Sequence, residues 1–139
     1  MSKYEIELLD AASTYELGQK IAKSFKPGLL YLHGDLGAGK TTFCQGFIRA
    51  LIDCRVLSPT YAYVTSYKPP VIHHFDLYRI DEPEKILELG LDMLLTDDKA
   101  IRLVEWPEHL GALKTKPSMD IYLEKFHDHR RAFIHDHLA

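Results

Sequence analysis

Gly34-Asp35-Leu36-Gly37-Ala38-Gly39-Lys40-Thr41 satisfies the pattern G-x-x-x-x-G-K-[ST] in full. Each position has a chemical reason. Glycines let the backbone curl so that successive amides point at phosphate oxygens. The helix that must follow offers free N–H groups and a favourable dipole to an anion. Lys40 is placed to reach the β- and γ-phosphates of a nucleotide, and the Thr41 hydroxyl to hold Mg²⁺. The spacing predicts a nucleotide site.

Such a loop works with an acid at the tip of a neighbouring apolar strand, where it orients the metal. Two segments fit. Ile101-Arg102-Leu103-Val104-Glu105 ends on Glu105, and Val71-Ile72-His73-His74-Phe75-Asp76 ends on Asp76. Either carboxylate could hold the metal, directly or through water, while the other orients an attacking water; spacing leaves the two roles open. Trp106, the single tryptophan, follows Glu105. Besides packing, it is placed to report nucleotide binding by fluorescence.

The other reactive side chains have plainer readings. His127, His129, His135 and His137 crowd the end of the chain, and His127 with His129 on one strand face would suit Zn²⁺. A solvated turn and tail is the preferred reading. Tyr61, Tyr63 and Tyr67 read as cross-strand packing, and Cys44 as a small buried side chain.

The elements that must carry these residues follow from periodicity. Tyr4, Ile6 and Leu8 alternate with glutamates as a first strand, and Ser13-Thr14-Tyr15-Glu16 reads as a capping box. Leu17, Ile21 and Phe25 continue that helix until Lys26-Pro27-Gly28 stops it. Leu29 to His33 is a buried strand ahead of the glycine-rich turn, and a helix from Thr41 carries Phe43, Phe47 and Leu51 on one face. Tyr61 to Tyr67 alternates as a strand, with Val71 to Phe75 as its partner beyond Lys68-Pro69-Pro70. Asp81-Glu82-Pro83-Glu84 starts a helix that Gly90 can end early. Ile101 to Val104 is a further strand, and Met119 to Leu123 with Ala132 to Ile134 a closing hairpin. Strands interleaved with helices, plus two hairpins, predict an α/β domain with a mixed sheet.

Composition narrows the function. The 139 residues make one domain, 1–139, with 46% hydrophobic and 27% charged residues, an ordinary globular balance. Seventeen basic against twenty acidic residues give −3, and the basic pair Arg130-Arg131 sits among aspartates and histidines. That disfavours direct, tight nucleic-acid binding, which needs a basic excess or stripe. Two cysteines point to a reducing compartment, and the absence of any apolar run near the ~20 residues of a membrane span makes cytoplasmic the expectation.

The ordered series Gly34 to Thr42, Ser58-Pro59-Thr60-Tyr61, His74-Phe75-Asp76-Leu77-Tyr78-Arg79 and Glu105-Trp106-Pro107-Glu108 resembles the TsaE (YjeE) family, the small P-loop ATPases of bacterial tRNA threonylcarbamoyladenosine synthesis. The loop alone is generic; the three later motifs, in this order and in so short a chain, are specific. The resemblance implies a P-loop NTPase-like three-layer α/β sandwich around a mixed central sheet, and slow hydrolysis of ATP to ADP. It assigns phosphate binding to Gly37, Ala38, Gly39, Lys40, Thr41 and Thr42, Mg²⁺ to Thr41 and Glu105, and hydrolysis to Asp76. It likens Ser58 to Thr60 to a switch near the γ-phosphate, sets Arg130 near the nucleotide in competition with Arg131, and puts Asp10 and Ala11 on the adenine side. It further implies a partner, the TsaB–TsaD heterodimer, which transfers threonylcarbamoyl to adenosine 37 of ANN-decoding tRNAs. A small-molecule kinase and a non-hydrolysing nucleotide-gated adaptor are the rival readings.

Overall fold

Leu29, Leu30, Tyr31 and Leu32 are apolar without alternation, so both faces of their strand must be covered. In the computed structural model, which describes residues 2–58 and 62–138, this strand lies at the centre of a seven-stranded mixed sheet. The elements run β1 (Ser2–Leu8), α1 (Ala11–Ala22), β2 (Gly28–His33), α2 (Lys40–Leu51), β3 (Val64–Tyr67), β4 (Ile72–Asp76), α3 (Glu84–Glu88), α4 (Leu91–Leu95), β5 (Ile101–Glu105), a 3-10 helix (Pro107–Leu113), β6 (Met119–Lys125) and β7 (Arg130–Asp136). The strand order is β1-β7-β6-β2-β5-β4-β3. β6, β2, β5 and β4 are parallel neighbours, while β1–β7, β7–β6 and β4–β3 pair antiparallel.

Two cores follow from this order. Helices α1 and α2 cover one face, where Phe43, Phe47 and Ile48 meet Leu30, Leu32, Leu103 and Ile121. Helices α3 and α4 and the 3-10 helix cover the other, where Ile86, Leu91 and Leu110 meet Tyr31, Phe75 and Val104. This is the three-layer α/β arrangement expected. The helices α1 and α2 touch backbone to backbone: a Cβ on Gly46 would stand 2.0 Å from the Tyr15 carbonyl oxygen, and one on Gly18 2.2 Å from that of Phe43. The contact fixes how closely α2 lies against α1.

Local boundaries differ from expectation in three places. Helix α1 is capped by Asp10, whose carboxylate accepts from the Ser13 amide at 2.8 Å; the chain leaves β1 at Leu8 and must turn at once, so Ser13 falls inside the helix. Helix α1 also ends at Ala22, short of Lys26-Pro27-Gly28. Strand β3 starts only at Val64, because Tyr63 adopts a left-handed backbone with φ 63°; Tyr61 lies outside the described residues. Gly90, at φ 72°, divides α3 from α4. His127 and His129 sit in the β6–β7 turn, with His129 paired to Asp128.

Asp120 ties the central strand to the C-terminal segment. Its two oxygens accept from Nε2 of His33 at 2.7 Å and Nε2 of His137 at 2.9 Å. Burial pushes its carboxyl up, but the two imidazole hydrogen bonds outweigh this and hold it below the ordinary range. A carboxyl depressed by folding contributes stability that is complete above its unfolded value and lost as pH falls through its folded value. Asp120→Asn should therefore cost about 1–2 kcal/mol at neutral pH, and that deficit should shrink as pH falls below ~4. Denaturant titrations across this range check it; a deficit that stays constant down to pH ~3 contradicts it.

Candidate functional site

The parallel strands β2, β5 and β4 end on the same edge of the sheet, and the residues of interest are strung along that edge. Glu105 lies in register between Leu32 of β2 and Asp76 of β4. Crevices at the carboxyl ends of such strands are where open α/β sheets take their ligands. Here the crevice is a cavity of about 440 Å³ walled by residues 35–42, Asp76, Arg79, Glu105, Trp106 and Arg130, with Ala11 and Thr14 from the first turn of α1.

The loop between β2 and α2 carries the anion-binding geometry. Gly39 precedes α2 at φ 106°, a conformation that a side chain would strain, and no side chain caps the helix. The first amides of α2 are therefore left to a ligand. Lys40 is buried to 6% exposure; its Nζ donates to the Gly34 carbonyl and, at 3.1 Å, to that of Asp35, and sits 3.8 Å from the centre of the Trp106 ring. Burial lowers its pKa against the opposing pull of Glu105, Glu108, Asp76 and Asp35. Trp106 holds a left-handed backbone at φ 62°, with Tyr78 and His109 at 5.0 and 5.8 Å between ring centres. Non-glycine residues in that conformation are costly and cluster at functional sites.

The two strand-end acids have different surroundings. Asp76 is almost buried and its Oδ1 accepts from the Tyr78 amide at 3.0 Å, which fixes the carboxylate over the turn after β4. Glu105 is 2% exposed; Thr41 Oγ1 lies 3.3 and 3.4 Å from its two oxygens, and Nε2 of His74 donates to Oε2 at 2.6 Å. Hard oxygens from a hydroxyl and a carboxylate suit Mg²⁺, and the Thr41–Glu105 pair beside the β2–α2 loop is a donor set that fits it. Burial pushes the Cys44 thiol well up, so it is a neutral packing group.

The sequence-expected residues converge unevenly. Ala38, Thr41 and Thr42 line the cavity beside Gly37, Gly39 and Lys40, whereas Gly34 is not on its wall and accepts from Lys40 through its carbonyl. Arg130 lines the cavity and donates from Nη2 to the Gly37 carbonyl at 3.1 Å; Arg131 faces Glu5 and Glu7 instead, at 3.6 Å from each. Ser58 is exposed and is not part of the cavity wall, and Thr60 lies outside the described residues. Sequence reasoning gave no role to Arg79, on the cavity wall, or to His74. Period-2 alternation carried the signal for His74, since it puts His74 and Asp76 on one face of β4, where a buried imidazole needs a polar partner.

The family described as threonylcarbamoyl adenosine biosynthesis protein TsaE matches residues 8–133. The chain belongs to the TsaE family. It is 37% identical over 123 residues to the tRNA threonylcarbamoyladenosine biosynthesis protein TsaE of Rickettsia felis, covering 85% of this chain and 71% of the relative. The TsaE protein of Bacillus subtilis is 31% identical over 135 residues, covering 94% and 84% of the two chains. Among solved structures, Bacillus subtilis YdiB superposes with a TM-score of 0.79 at 26% identity, over 96% of this chain and 84% of that one. The family match runs from the end of β1 to β7, so every wall of the cavity falls within it. No helix among the described residues is long and apolar enough to cross a membrane.

Proposed function

We propose that this protein binds ATP with Mg²⁺, hydrolyses it slowly to ADP, and thereby supports the TsaB–TsaD heterodimer in threonylcarbamoylation of adenosine 37 of ANN-decoding tRNAs. The observation that carries the reading is the meeting, in one cavity, of an uncapped loop-to-helix junction, Lys40, Thr41 and two register-paired carboxylates. Family membership supports the tRNA-modification context, since relatives across several bacteria are named for it. The net charge of −3 suits a protein partner rather than a phosphate backbone.

The chain's own residues divide the work. The amides of Gly37 to Thr42 receive the phosphate oxygens, and Lys40 leaves its backbone carbonyls and Trp106 to meet the β- and γ-phosphates. Thr41 and Glu105 would hold Mg²⁺, which when bound offsets charge on the phosphates. Asp76, held by the Tyr78 amide, orients the attacking water. Arg130 braces the loop through Gly37.

The test is multiple-turnover modification. With tRNA, ATP, a threonylcarbamoyl donor and catalytic TsaB–TsaD, added protein should carry product well past one equivalent per TsaD. Lys40→Ala should leave it near one. Equal support from Lys40→Ala would overturn the ATP-driven role.

A further inference from the structure

His74 stands directly behind the carboxylate assigned to the metal in the reading above, on which this inference rests. We infer that His74 is a positioning residue: its Nε2–H fixes the rotamer of Glu105, and so the affinity of the nucleotide site for its divalent cation.

A glutamate at a strand end has free side-chain torsions, and a carboxylate only accepts hydrogen bonds. Thr41 reaches both oxygens at nearly equal and long distances, 3.3 and 3.4 Å, and does not choose between them. The short bond, 2.6 Å from His74 Nε2 to Oε2, does. It commits one oxygen to β4 and leaves the other with Thr41 at the loop. The imidazole is itself immobile: His74 has no exposed surface, and its ring, the Glu105 carboxylate and the Cys44 sulfur of α2 offer ligating atoms within 4.8 Å of one another, all buried.

A second observation separates this from ordinary packing. The other ring nitrogen, Nδ1, is buried with no hydrogen-bond partner among the described residues. An imidazole with one orphaned nitrogen is less stable in such a place than an aliphatic side chain. What the site gains from it is the single bond to Glu105. His73, next along β4, contrasts: Nδ1 meets Ser66 at 2.7 Å and Nε2 meets Asp97 at 3.2 Å, so both nitrogens are engaged away from the cavity. Outer partners that orient a ligating group commonly change metal affinity ~10–100-fold.

The test uses Mn²⁺ as the probe, titrated by electron paramagnetic resonance into the protein–ADP complex. ADP affinity in EDTA serves as the control for fold and phosphate binding. His74→Leu should weaken Mn²⁺ binding by ~10-fold or more with ADP affinity in EDTA unchanged. His74→Gln, which returns an N–H toward Glu105, should recover most of the loss, and His73→Gln should have no effect. If His74→Leu fails to fold, His74→Asn replaces it, its amide being too short to reach Glu105. Unchanged Mn²⁺ affinity on removing the donor, or an equal loss in His73→Gln, overturns the inference. Glu105→Gln separates the two levels: if it weakens Mn²⁺ while His74→Leu does not, only the role of His74 falls. If Glu105→Gln also has no effect, the metal assignment falls with it.

Discussion

Asp76→Asn should lower ATP turnover by ~10²–10³-fold, equivalent to about 3–4 kcal/mol on the barrier, and leave ATP affinity within about threefold. The asymmetry follows from where Asp76 sits. Its Oδ1 accepts the Tyr78 amide, a bond that an asparagine oxygen can keep, so the turn after β4 survives. What disappears is the charge beside Glu105 at the end of the neighbouring strand. A neutral amide cannot draw on a water proton as a carboxylate does. Single-turnover hydrolysis with saturating ATP, beside equilibrium ATP binding, separates the effects. Turnover within threefold of the parent protein would remove Asp76 from the chemistry.

Lys40→Ala should fail earlier, at binding, with ATP affinity reduced by ~10²-fold or more, since charge-assisted contacts to phosphate contribute about 1.5–3 kcal/mol each. The lysine is buried among Asp35, Asp76, Glu105 and Glu108, while Arg130, the other basic side chain bonded to the loop, is held at the Gly37 carbonyl. Without Lys40, a polyanion would meet Asp35, Asp76 and Glu105 on the cavity wall with no lysine charge beside them. Trp106 supplies the readout, because Lys40 Nζ lies 3.8 Å from its ring and must move when phosphates arrive. Titration of intrinsic fluorescence with ATP should show a saturable change in the parent protein, and calorimetric titration of both proteins should show the affinity loss in Lys40→Ala. A comparable affinity in both would mean that phosphates bind elsewhere.

Much of this was legible in the residues because it rests on local rules. An apolar strand, a glycine-rich turn and an amphipathic helix in succession admit one arrangement of Lys40 and Thr41, and strand-end acids at Asp76 and Glu105 mark their own strands. The start of α1 lies at Asp10 rather than at the capping box of Ser13, because the cap depends on where β1 stops and on α1 meeting α2 at Gly18 and Gly46. The insertion of β6 between β7 and β2 was not legible, since a hairpin in sequence does not say which of its edges will pair. The left-handed backbone of Trp106 and the role of His74 share a feature. Both involve neighbours distant in the chain: the Trp106 ring packs on Tyr78, and His74 bonds Glu105.

The most direct test of the account is Mg²⁺-dependent ADP release by the protein alone and with TsaB–TsaD, with Lys40→Ala as control. The expected result is slow release that requires Mg²⁺, rises with the partners and falls to background in Lys40→Ala. Bound ATP with no release in either condition would contradict it, and would make the protein a nucleotide-gated adaptor rather than an ATPase.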